Sequence, residues 1–229
     1  MAVSGATRGK DWPDSRLLAW FALVGVVIYV GVDVLLKFLR PHYSLIYNAE
    51  SDYGRGPWYW VMDLNFLLRC ALSVAVARAL SRTIRTSTRI RSGLTLLVVW
   101  AVCSGLLAFF ADDIEGQPVH GSGKVHLALA FVAFVCVAIG TVLVSIDVRS
   151  DPTRTGVGNL LFIVSLLGAV AFVVLGAVIR HKNGPDGLYE RIFLGLELLW
   201  IALATWGVVL RRPRPKASAL TRSVQTPSD

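Results

Sequence analysis

Two adjacent carboxylates and two imidazoles share one short polar stretch, residues 109–126, FFADDIEGQPVHGSGKVH. Asp112 and Asp113 open it, and His120 and His126 close it. Groups of this kind support two sorts of chemistry. About three of them around a zinc ion would activate a bound water for hydrolysis. Without a metal, a carboxylate and an imidazole within reach of each other work as general acid and base. The His-x5-His spacing matches no standard ligand motif, and no HExxH occurs. Asp112, His120 and His126 are the candidate catalytic residues. The sequence specifies no cofactor; zinc is the metal such a set would hold.

Other polar residues could complete the site. Ser51 and Asp52 lie in an earlier polar stretch, and His181 in a later one. Asn65, Arg69 and Ser73 recur at four-residue spacing, which puts them on one helix face. Arg69 is about 11 residues from Trp58, roughly 16 Å of helical rise. Glu197 lies about 10 residues in from its own preceding loop, at similar depth. Arg69 and Glu197 are therefore expected to pair, with Asn65 or Asp63 as further partners. Glu190 and Glu197, a heptad apart, share a face and with Asp63 could line a funnel toward Arg69; Arg191 beside Glu190 would orient a headgroup. The same Arg–Glu pair would serve equally well as structural glue between helices.

What must position these residues is apolar helix. Of the 229 residues 55% are hydrophobic, and they fall in runs long enough to cross a hydrocarbon core of about 30 Å. In lipid such runs can only be helices, because every backbone polar group must be satisfied within the segment. Six spans are expected, at about 17–39, 58–80, 93–111, 125–146, 157–179 and 188–210. Residues 1–16 form a polar tail and 211–229 a basic, disordered one. Asp33 and Lys37, four apart in the first span, can pair. No cleavable signal peptide is expected, because the first run is too long and lacks a small-residue cleavage site. Cys70, Cys103 and Cys136 all fall inside spans and read as packing residues.

The net charge of +8 does not indicate nucleic acid. The basic residues flank the spans on one side: three in the first tail, four in the second loop, two in the fourth and five in the last tail. The other three loops together hold five. The positive-inside rule then places both termini in the cytoplasm of a bacterial-type cell membrane. All four histidines (His42, His120, His126, His181) fall on or near the outer side. With no histidine in the inner half, two haems stacked across the bilayer are excluded.

The reading is thus an all-α integral membrane protein, a bundle of six transmembrane helices. Its partners are membrane lipids and a small amphiphilic ligand, bound or processed at an outer polar pocket. The alternatives are a metal-dependent lipid hydrolase, a small permease and a non-catalytic scaffold. Substrate and oligomeric state are not encoded in any motif.

Four patterns carry a resemblance: HYSLIYNAESDYG after the first span, FFADD…H…H around the fourth, GLYERI opening the sixth, and the six-span layout itself. Together they resemble the bacterial and archaeal membrane family catalogued as domain of unknown function 998. The resemblance implies six membrane helices and no established activity. Its motif positions are Ser51, Asp52, Gly54, Asp112, His120 or His126, Gly187, Glu190 and Arg191. A fainter likeness is to membrane hydrolases of the alkaline ceramidase and adiponectin receptor type, which use Ser, Asp and His to hold zinc. This chain departs from them in having six spans rather than seven and no paired histidines on one helix.

Overall fold

A computed structural model describes residues 12–113, 121–181 and 184–210. The six apolar runs are six helices: α1 (Trp12–Leu39), α2 (Tyr59–Thr83), α3 (Thr88–Leu106), α4 (Gly121–Arg149), α5 (Thr155–Val178) and α6 (Asp186–Ala204). A single 3-10 turn extends α3 over Leu107–Phe109, and a wider π-helical stretch, Thr205–Leu210, continues α6. No strand occurs among the described residues. Each of the six is long and apolar enough to cross a membrane. The protein is a multi-pass membrane protein.

Each helix packs on its neighbours in sequence, and the end of α6 closes on α1. Small residues allow close crossings. A Cβ on Gly93 of α3 would lie 3.0 Å from the Gly140 carbonyl of α4 and 2.8 Å from Val144. Glycine there lets the two backbones approach, as small residues do between membrane helices. Trp100, Trp200 and Phe193 fill the interior. The apolar side chains of α1 and α5, such as Val27 and Val173 (each 69% exposed), face outward, as a lipid-facing surface must.

The alternating direction of the six helices brings the first, third and fifth connections to one end of the bundle and the arginine-rich second and fourth to the other. At the arginine-rich end Arg82 pairs with Asp14, and Arg89 with Asp147. Ser87 caps α3 by accepting the Ile90 N–H.

At the opposite end, the first connection is a folded cap and not an open loop. It contains a 3-10 turn, Glu50–Gly54, whose Glu50, Asp52 and Tyr53 are buried. Tyr43 stacks on Tyr53, and Arg40 lies over Tyr43. Arg40 also donates to the Arg55 carbonyl. Gly56 and Trp58 turn the chain into α2, both with left-handed backbone.

The expected Asp33–Lys37 pair does not form. Lys37 donates to the carbonyls of Tyr43 (2.6 Å) and Pro41 (3.3 Å), and Asp33 faces Arg191 at 4.0 Å. Loop carbonyls just beyond the end of α1 draw the ammonium away from its i−4 carboxylate. His126 is also deeper in its helix than expected, since α4 begins at Gly121.

Candidate functional site

The capped end brings Ser51, Asp112 and His126 together. Asp112 sits in the extended segment that follows α3, and its Oδ1 accepts the N–H of Asp113 at 2.8 Å. Its Oδ2 accepts from the Ser51 hydroxyl at 3.4 Å. Arg55 fixes this segment from the first connection, donating to the Asp113 carbonyl and pairing with Asp52. Ser122, at the start of α4, donates to the Ala111 carbonyl at 3.0 Å. The first and third connections and α4 therefore hold one another in place.

His126 is 2% exposed and packs edge-on against Phe66. Its Nδ1 lies 2.7 Å from the Phe110 carbonyl. A carbonyl only accepts, so Nδ1 carries the hydrogen. In the neutral ring Nε2 is then a bare acceptor. It has no hydrogen-bond partner among the described residues, and Asp112 Oδ2 stands 3.9 Å away. Two acceptors, one on an imidazole and one on a partly exposed carboxylate, thus stand 3.9 Å apart. A group with two hydrogens to donate, or a metal cation with open coordination positions, satisfies both.

Beneath this corner runs a buried polar column. Arg69 of α2 donates to the Tyr29 hydroxyl of α1 at 2.9 Å, and Tyr29 donates to Glu50. The backbone N–H of Glu50 donates to Glu190 of α6 at 2.7 Å. Arg191 donates to the carbonyls of Asn48 (2.7 Å), Gly187 (3.1 Å) and Leu45 (3.3 Å). Glu190 and Arg191 therefore clamp the first connection onto α6. Burial pushes the phenol of Tyr53 above its ordinary value, and the charge of Arg191 offsets part of that rise.

Arg69 and Glu197 do not pair. Arg69 points toward α1, with Asn65 beside it donating to the Tyr29 carbonyl at 3.3 Å. Glu197 points the other way, against Gly168 of α5, where a Cβ would lie 2.6 Å from its Oε1. Neither Glu197 oxygen has a hydrogen-bond partner within bonding geometry among the described residues. Depth along each helix was readable from sequence, but the direction each side chain takes around its axis depends on neighbours.

The remaining candidates stand apart. Asp63 is half-buried near Gly54, and His181 is exposed on the α5–α6 connection; neither makes a side-chain bond to the corner among the described residues. His120 lies outside the described residues. Tyr29 and Glu50, central to the column, gave little sequence signal. A single tyrosine in an apolar span and one acid in a polar loop are ordinary on their own. No group of three His, Cys, Asp or Glu side chains suited to a metal occurs among the described residues.

A family model described as "Protein of unknown function (DUF998)" matches residues 23–207. No curated protein and no solved structure matches the chain.

Proposed function

We propose that this member of DUF998, the family of proteins of unknown function to which the chain belongs, binds a lipid or small amphiphile whose headgroup carries an O–H or N–H donor. The supporting observation is the bare Nε2 of His126 facing Oδ2 of Asp112. A primary ammonium between them would donate to both, a hydroxyl with its one hydrogen to either, and Ser51 would hold the carboxylate in place. An amphiphile fits better than a fully water-soluble ligand, because Phe109 beside the corner is 71% exposed and Trp58, Tyr59 and Trp60 form an exposed aromatic band at the same end. In this reading the site faces the outside of the cell membrane and both tails are cytoplasmic. The column from Arg69 to Glu190 is the support that holds the corner in register.

The test uses amphiphiles with one common chain and three headgroups: hydroxyl, primary ammonium, and a quaternary ammonium that has no donor. The first two should raise the thermal stability of the purified full-length protein, and the third should not. Asp112→Asn and His126→Phe should each remove the difference. Equal stabilisation by all three headgroups would defeat the reading. A second reading uses the same pair of acceptors as part of a zinc site for lipid hydrolysis. Stoichiometric zinc in purified protein, lost in His126→Phe, would favour it.

A further inference from the structure

At the arginine-rich end a groove of about 330 Å³ opens between α2 and α3 on the outward face of the bundle. Val74, Leu94 and Val98 line its length, and Arg78, Ser81 and Thr95 also border it. Arg78 is exposed, in α2 and five residues before its end at Thr83. The other arginines nearby are partly committed: Arg82 to Asp14, Arg89 to Asp147 and Arg154 to the Thr83 carbonyl. The guanidinium of Arg78 has no such partner among the described residues, and neither has the Thr95 hydroxyl. Arg85 in the loop beyond and Arg91 in the first turn of α3, both exposed, add positive charge nearby.

We infer that this groove is a binding site for one anionic phospholipid, its phosphate on Arg78 and Thr95 and an acyl chain along Val74, Leu94 and Val98. The chemistry follows from the composition of the groove. A long basic side chain in a membrane helix extends its charged end toward the interface while its stem covers apolar surface. A guanidinium presents a fork of donors that matches phosphate oxygens, and a hydroxyl within the groove adds another donor. An apolar trough below a cation accepts a chain, which neither a free phosphate nor an acidic peptide would fill. This site is at the end opposite the His126 corner and is independent of it.

Native mass spectrometry of the full-length protein, titrated with phosphatidylglycerol or phosphatidylcholine of identical chains, tests the inference. One phosphatidylglycerol should be retained in preference to phosphatidylcholine. Arg78→Gln should weaken it about fivefold, the effect of one basic residue near a lipid phosphate, and leave phosphatidylcholine unchanged. Arg85→Gln, which removes the same charge outside the groove, should have a smaller effect. Val98→Trp fills the groove without touching Arg78 and should also reduce phosphatidylglycerol binding; it provides the answer if Arg78→Gln fails to fold. Equal binding of the two lipids by the unaltered protein would overturn the site. So would equal losses in Arg78→Gln and Arg85→Gln, or a dimer that Arg78→Gln dissolves, which would make the groove a protein interface.

Discussion

Tyr29 has a role out of proportion to its place in an apolar span. Its hydroxyl accepts from Arg69 and donates to Glu50, so one oxygen links a mid-membrane cation to the cap. Phenylalanine in its place keeps the ring and leaves a buried guanidinium and a buried carboxylate each short of a partner. Such a loss costs about 1–3 kcal/mol. Tyr29→Phe should therefore lower the thermal stability measurably, and Tyr29→Phe combined with Arg69→Met should cost less than the sum of the two. Strict additivity would mean that the column is not a connected unit. At this scale the sequence was only partly informative. Four-residue spacing put Asn65, Arg69 and Ser73 on one buried face, and they are buried together. The same spacing could not say that this face meets Tyr29 rather than Glu197.

Among the elements, the first connection depends most on packing. It joins α6 through backbone contact: Leu188 donates to the Ile46 carbonyl at 3.0 Å, and Gly187 lies directly against the Asn48 carbonyl. A methyl group at position 187 would meet that carbonyl, and the same carbonyl accepts from Arg191. Gly187→Ala is expected to displace the cap while leaving the six helices formed. Helical circular dichroism should stay unchanged, with thermal stability and headgroup discrimination falling together. Unchanged discrimination would show that the cap does not position the Asp112 segment. The sequence marked GLYERI as a motif, and the contact gives its glycine a physical reason: only a residue without a side chain admits the loop backbone. The Asp33–Lys37 spacing misled because the connection after α1 folds back to offer Lys37 two carbonyls while Asp33 faces Arg191.

For the whole molecule, the six spans were legible because lipid demands an unbroken apolar length, and that demand is written into the chain residue by residue. Parity did the rest: with six spans, Ser51, Asp112 and Glu190 had to come to one end, and the connections that carry them pack together there. The identity of the partners within that end depends on tertiary packing that no local pattern records. Orientation is a separate matter. We propose, from the bias of arginine and lysine to the opposite end, that this opposite end lies in the cytoplasm. A cysteine at the exposed His42 should then react with an impermeant thiol reagent added to intact cells, and one at the exposed Arg85 should react only after lysis. The reverse pattern would invert the topology and put the His126 corner inside.

The central claim is that His126 presents a bare Nε2 to a donor group. Nitrogen NMR of imidazole-labelled full-length protein, with the His126 signals assigned by their absence in His126→Gln, reads this directly. The expected result is a hydrogen on Nδ1, a bare Nε2, and a shift of Nε2 alone when an amphiphile with a hydroxyl headgroup is added. A hydrogen resident on Nε2 with Nδ1 bare, or an Nε2 signal indifferent to the amphiphile, would contradict the account.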